Sequence, residues 1–329
     1  MNRKFTWKSW VLLALLAICS VLIVRHDGAV WHTNQGQVFG TVYKITYLYR
    51  QDIQDQIEQR LAEVDHSLSP FNASSVISAI NNGTSMQTDS LFRTVFRKAV
   101  EVNVASMGAF DITVAPLVNA WGFGFRQSEP VPDIVVDSLL TFVGMDKVHL
   151  VGNEIMKDDP RLMLDCSAIA KGFGSDQVAA LFDGLGIENY MVEIGGEVVV
   201  RGKNAKGAEW RIGINRPEED PTVIASQLDT VLVLTDCAMA TSGNYRNFYY
   251  KNGQRYAHTI DPRLGYPVQH SVLSATVIAP TCMEADALAT SIMVLGADTA
   301  RTLIAATPGT RAYLICAVDS MTTISMSLP

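Results

Sequence analysis

From residue 37 to 49 apolar and polar positions alternate, with Val38, Val42, Ile45 and Tyr47 on the apolar side. That period of two predicts the first strand of a folded body. The period then lengthens: Ile53, Ile57, Leu61 and Val64 recur every three to four residues, which predicts a helix with one apolar face running into a polar loop over 65–72. Leu91, Phe92, Val95, Phe96 and Ala99 predict a second helix over 89–106, closed by Gly108. Pro130 and Pro132 break the chain before a short helix over 137–144 at a lobe boundary. Strand residues 162–164 lead through a small-residue turn to a helix carrying Val178, Ala179, Leu181 and Phe182, and a strand over 190–200 is interrupted by Gly195 and Gly196. Further strands are expected at 210–215, 230–234 and 272–279, a hairpin around Asn252-Gly253, and a closing hairpin over 312–326. The hairpin signals favour antiparallel pairing, and no G-x-G-x-x-G occurs. The expected fold class is therefore α+β, two closely associated lobes with mostly antiparallel sheets.

One predicted helix breaks its own pattern. Over 281–296 (TCMEADALATSIMVLG), Thr281 and Glu284 have the spacing of a capping box and Gly296 sits where a helix stops. Ala285, Ala287, Leu288, Ala289, Ile292, Met293, Val294 and Leu295 leave nearly every face apolar, so the helix is expected to be buried all round. Asp286 stands among them, and a buried carboxylate is costly unless paired or bound to a metal. Thr290 lies one turn on, on the same face. Two hard oxygen ligands flanked by alanines suit Mg2+ with phosphate oxygens completing its shell, while pairing of Asp286 with a distant basic residue is the other reading.

Composition narrows the classes. With 329 residues, 48% hydrophobic and 18% charged, the chain is globular, and a net charge of −7 argues against a nucleic-acid binder. Five cysteines without a C-x-x-C pair make neither a disulfide framework nor a zinc site. At the N-terminus Arg3, Lys4 and Lys8 precede an apolar run over 10–24, which reads as export with the positive end inside. Residues 1–28 are thus expected to be a signal or membrane anchor, with Cys19 as a loosely matching lipidation site, and residues 29–329 the body on the extracytoplasmic side.

Four other places carry candidate chemistry. The turn DCSAIAKGFG over 165–174 opens a helix, where backbone N–H groups and Lys171 suit an anion, although the P-loop pattern is absent. Asp111 follows an apolar residue in a stretch built for packing and reads first as a turn or capping aspartate. Phe71, on a loop beside Pro70, can cover a flat ring or plug a gap. His258 precedes the rigid turn HTIDPRLGYP over 258–267 and is as much a candidate base as a structural histidine.

Taken together these segments resemble the ApbE family, the FAD:protein FMN transferases, from about residue 39 to 326. The resemblance is carried by Phe39-Gly40-Thr41, LSPFN at 68–72, GAFDITVAPLVNAWGFG at 108–124, LDCSAIAKGFGSD at 164–176, VEIGGEVVVRG at 192–202, TSGNY at 241–245, HTIDPRLGYP at 258–267 and EADALATSIMVLG at 284–296. It implies FAD in the cleft between the lobes and Mg2+ at its diphosphate, held by Asp286, Thr290 and the backbone carbonyl of Ala168. The flavin contacts it implies are Phe39, Phe71, Ala109, Phe110, Asp111, Asp165, Lys171 and Ile260. Phe39 stands where the family commonly has Met, and Phe71 where it often has Tyr.

The reaction implied is attack of an acceptor threonine hydroxyl on the FMN-side phosphorus, releasing AMP. His258 is the first candidate base and Asp261 the alternative or its orienter. Implied acceptors are membrane redox proteins with a Ser/Gly/Ala-Thr motif, met by an enzyme tethered at the inner membrane through its N-terminal anchor or lipid. One alternative shares the residues, an Mg2+-dependent FAD pyrophosphatase giving FMN and AMP; the other, a non-catalytic flavin-binding surface lipoprotein, predicts loss of the metal ligands, whereas Asp286 and Thr290 are both present.

Overall fold

The structure, a computed structural model, describes residues 28–122, 131–217, 228–244, 248–251, 254–257, 259–318 and 323–328, with residues 7, 11–16 and 18. Most of the 1–28 segment, Cys19 included, lies outside the described residues, as do His258, Asn252 and Gly253.

Eight strands form the main sheet: β1 Val30–Val38, β2 Thr41–Tyr49, β3 Tyr190–Ile194, β4 Glu197–Arg201, β5 Cys237–Gly243, β6 Val272–Ala279, β7 Arg311–Ala317 and β8 Thr323–Leu328. They lie side by side in that order and every neighbouring pair is antiparallel. The sheet is therefore a meander, and all other structure is inserted between its strands. Between β2 and β3 come helices α1 Gln54–Leu68, α2 Val76–Asn81, α3 Ser90–Ala105, α4 Ala115–Ala120, α5 Asp133–Leu140 and α6 Ala170–Gly184; α7, Cys282–Ala306, joins β6 to β7. The fold is α+β with antiparallel pairing throughout the sheet, as the hairpin signals predict.

Alternation along the strands divides the core. Val192, Ile194, Val199 and Ala238 face the helical side with Ile57, Leu61, Val178 and Phe182 of α1 and α6. Val198, Val200 and Met239 face the other side, covered by Trp210 and Leu234 of the hairpin Trp210–Asn215/Leu228–Leu234. Each such apolar side chain taken fully from water contributes about 1.5–3 kcal/mol.

Several boundaries differ from the sequence expectation, each for a local reason. The strand expected over 37–49 is part of a hairpin turning at Phe39-Gly40, both with positive φ (51° and 71°). The turn resets the alternation, so Tyr43, Ile45 and Tyr47 point inward and Val42 is 64% exposed. The strand expected over 190–200 is two strands: Ile194 pairs with Glu197 across Gly195 and Gly196, both at positive φ as a two-residue hairpin demands. Residues 162–164 join no strand ladder; the Asn81 side chain pairs with Leu164 instead, donating to its O at 2.8 Å and accepting from its N at 2.7 Å. The short helix α5 starts at Asp133, directly after Pro132, rather than at 137. Gly296 (φ 76°) ends the first part of α7 as expected, and helix resumes beyond this kink.

Candidate active site

A cavity of about 1030 Å³ opens at the end of the sheet formed by the Gly195-Gly196 turn and the C-terminal end of β5. One wall comes from the loops of the β2–β3 insertion (Phe71, Asp111, Asp165), the other from the sheet end and the 210–215 strand. The floor is the packing of α6 against α7. Gly172 makes that contact possible, since a Cβ there would collide with the Cys282 carbonyl and lie 2.9 Å from Asp286 Cβ. Asp176 on α6 caps α7, accepting from Cys282 N and Met283 N, both at 2.8 Å. Thr281 caps Glu284 N at a long 3.4 Å, and Glu284 turns to Lys98 rather than closing the expected capping box.

These contacts set Asp286 at the floor, 2% exposed. Its Oδ2 accepts from Gly172 N at 3.0 Å and lies 3.8 Å from Lys171 Nζ; Oδ1 takes no hydrogen bond from the described residues. Because the Gly172 N–H is spent on Asp286, the Ala168 carbonyl, one turn back, accepts no hydrogen bond from the described residues either. Thr290 and Ala168 line the same cavity, and the Thr290 hydroxyl is 3.2 Å from Ser242 Oγ. The carboxylate oxygen, hydroxyl and carbonyl are hard neutral or anionic donors, and two of them have no partner among the described residues. This donor set fits Mg2+. The two readings of Asp286, cation ligand or ion-pair partner, are both served by this geometry, because its one basic neighbour sits beyond ordinary hydrogen-bond distance.

Electrostatics on the floor are concentrated in four groups, Lys171, Glu197, Asp286 and Asp176. Lys171 Nζ is 2.8 Å from Glu197 Oε1. Burial alone would lower the Lys171 ammonium, but the Asp286 and Glu197 charges outweigh it and hold it above the ordinary lysine range. Burial, and after it the Asp286 charge, pushes the Glu197 carboxyl upward, while Lys171 pulls it back. Burial also raises Asp176 to about 6, against the two backbone N–H groups that favour its charged form.

Of the expected flavin contacts, Phe71, Ala109, Phe110, Asp111, Asp165, Lys171 and Ile260 all line the cavity. Phe71 stands at its rim, 74% exposed. The two aspartates are at the same time turn builders. Asp111 Oδ1 accepts from Thr113 N (2.7 Å) and Oγ1 (2.6 Å), and Oδ2 from Met145 N (3.1 Å); Asp165 Oδ1 accepts from Ser167 N (2.8 Å) and Oγ (2.5 Å). Burial pushes Asp111 upward. Phe39 is different: it does not line the cavity, and its ring packs over α6, 2.6 Å from where a Cβ of Gly174 would stand. The positive φ of the hairpin tip turns it inward to the core.

Asp261 does not line the cavity. Its Oδ1 accepts from Arg263 N and Nε, both at 2.9 Å, and its Oδ2 from Arg263 Nη2 at 2.7 Å. Such a carboxylate builds the 261–265 turn and stands outside the cavity lining, with both oxygens engaged by Arg263, which corrects the expectation of a base in the cavity at that position. Sequence reasoning missed Asn81, Ser242 and Glu197 as cavity residues. Glu197 alone had a readable signal, a charged residue opening an otherwise apolar run, Val198–Val200.

A sequence model described as the ApbE family matches residues 39–314. The chain belongs to the ApbE family. Among its relatives, an FAD:protein FMN transferase of Haemophilus influenzae is 38% identical over 303 residues, covering 87% of this chain and 86% of that protein. One of Vibrio cholerae is 40% identical over 279 residues, covering 80% and 81%. The solved flavin transferase ApbE from Vibrio cholerae superposes with a TM-score of 0.80 at 35% identity, covering 91% of this chain and 97% of that one. The ApbE match takes in the main sheet from β2 into β7, the insertion and α7, so every cavity wall described above belongs to the shared fold.

Proposed function

We propose that this protein transfers FMN from FAD to a threonine hydroxyl of an acceptor protein, releasing AMP, in a reaction that needs Mg2+. The observation that carries this reading is the floor of the cavity: a buried carboxylate with one oxygen that takes no hydrogen bond from the described residues, a hydroxyl one turn on, and a lysine beside them. Phosphoryl transfer depends on positioning and charge neutralisation more than on covalent chemistry, and this floor is built of charge. Asp286, Thr290 and the Ala168 carbonyl would hold Mg2+, which when bound supplies Lewis-acid neutralisation of the diphosphate. Lys171 binds a further phosphate oxygen. Phe71 covers the isoalloxazine at the rim, and Phe110 and Ile260 give it an apolar wall.

In the reaction the acceptor oxygen bonds to the FMN-side phosphorus as the bond from that phosphorus to the bridging oxygen breaks. The electron pair leaves with AMP, and the hydroxyl proton passes to a base. His258 is assigned that role in this reading. The acceptors are membrane redox proteins with a Ser/Gly/Ala-Thr motif, and the apolar N-terminal run tethers the enzyme on the extracytoplasmic face of the inner membrane, by an uncleaved anchor or by lipid on Cys19.

The test is incubation of the full chain in detergent with FAD and Mg2+, with and without a threonine-containing acceptor, following AMP and acceptor mass. AMP formed with acceptor only, together with one FMN added to the acceptor, is the expected result. AMP and free FMN without acceptor would make the protein a pyrophosphatase, and flavin binding with neither product would make it a flavin carrier.

A further inference from the structure

Glu197 is the first residue of β4, a strand paired on both sides in the main sheet. By alternation it shares the helical face with Val199, so the hairpin that forces β3 and β4 together also drives a carboxylate under α6 and α7. It is 2% exposed. Oε1 is satisfied by Lys171 at 2.8 Å, but Oε2 is buried with no hydrogen-bond partner among the described residues, although the residue lines the cavity. A buried orphaned carboxylate oxygen is expensive, and a packed apolar residue of similar size would be cheaper. With Glu197 ionised, the two carboxylates around the Lys171 ammonium, Glu197 and Asp286, leave an excess of one negative charge there, with Asp176 a further acidic group at the start of α7, in a place where an anionic diphosphate is to bind.

We propose that Glu197 is a positioning residue that makes diphosphate binding conditional on the cation. It anchors the Lys171 ammonium and keeps the empty floor net negative, so the cation binds tightly, while the diphosphate is repelled until the cation is in place. Removing that one charge has opposite consequences for the two ligands: the cation binds more weakly and the cation-free diphosphate more tightly. A purely structural role cannot produce opposite signs. The inference rests on the flavin transferase reading only in taking FAD as the diphosphate, and it is read out by binding, without turnover.

The experiment compares wild type and Glu197→Gln, as full chains in detergent above pH 8, where Glu197 is ionised, in two titrations: Mn2+ by electron paramagnetic resonance in the absence of flavin, and FAD by fluorescence quenching in excess chelator. The expected result is roughly a tenfold loss of Mn2+ affinity in Glu197→Gln, the size typical of residues behind a metal ligand, with tighter cation-free FAD binding. Glu197→Asp, which keeps the charge, is expected to remain within about threefold of wild type in Mn2+ affinity. Lys171→Met is the reciprocal change and does not depend on the Glu197 variant folding; it is expected to tighten Mn2+ and weaken cation-free FAD. Unchanged affinities in Glu197→Gln, or a parallel loss of both ligands, would overturn the proposal, as would weaker Mn2+ binding in Lys171→Met. Failure of FMN transfer in the wild type would instead overturn the reading on which the diphosphate is named, leaving both titrations interpretable.

Discussion

Asp286 and Asp261 are both buried carboxylates, at 2% and 6% exposure, and they are used in opposite ways. Around Asp261 every oxygen is answered locally: Arg263 gives three N–H donors, and the Asp261 carbonyl accepts from Gly265 N at 2.7 Å. Around Asp286 one oxygen has a backbone donor, the other none from the described residues, and the basic neighbour is shared with a second carboxylate. The turn has consumed its charge to fix backbone geometry. The floor has kept charge in reserve, which costs stability and is expected where a ligand completes the set.

The largest effect should come from Asp286→Asn. Asparagine can keep the Gly172 N–H bond but not the charge, so AMP release is expected to fall more than about a hundredfold while stability changes by less than about 1 kcal/mol. Unfolding melts beside turnover assays separate the two. Asp261→Ala should give the mirror image, a loss of about 1–3 kcal/mol in stability as the Arg263 donors lose their acceptor. Its activity loss should track the unfolded fraction in denaturant titrations. Gly172→Ala tests whether the floor depends on close helix approach: the added Cβ meets the Cys282 carbonyl, and about 1–3 kcal/mol of stability should go, with cation affinity falling alongside.

A pH-dependent effect concerns Asp176, which holds the start of α7. Its carboxyl, raised to about 6 from 3.8, binds its proton more tightly in the folded than in the unfolded chain. Its ionisation therefore costs folded-state stability as pH rises between about 4 and 6. Asp176→Asn removes that cost, so its stability relative to wild type should rise by about 3 kcal/mol across that window and stay level above it. Denaturant midpoints at pH 4, 5, 6 and 7 would show it.

How much of this was legible in the sequence depends on the range of the interaction. The apolar faces of α1 and α3, the buried character of α7 and the i, i+4 placement of Asp286 and Thr290 follow from local periodicity, and the structure has them. The resemblance brought Phe71, Ala109, Phe110, Asp111, Asp165, Lys171 and Ile260 together in expectation, and Phe39 is the one of its flavin contacts that does not line the cavity. What local pattern could not carry were contacts made across the fold. Gly172 is needed because of Cys282, more than a hundred residues on, and the Asn81 side chain takes the place of a strand for Leu164. The alternation of 37–49 concealed a turn because Phe39, an unusual residue at positive φ, does not signal one. In sequence Asp261 read as an alternative base or an orienter of His258; the Arg263 fork, two residues on, is what the structure adds.

The most direct measurement is Mn2+ binding to the full chain without flavin, for wild type, Asp261→Asn and Asp286→Asn. The account predicts one saturable site in wild type, retained in folded Asp261→Asn and lost in Asp286→Asn. Binding that survives in Asp286→Asn, or that disappears equally in both variants, would contradict it.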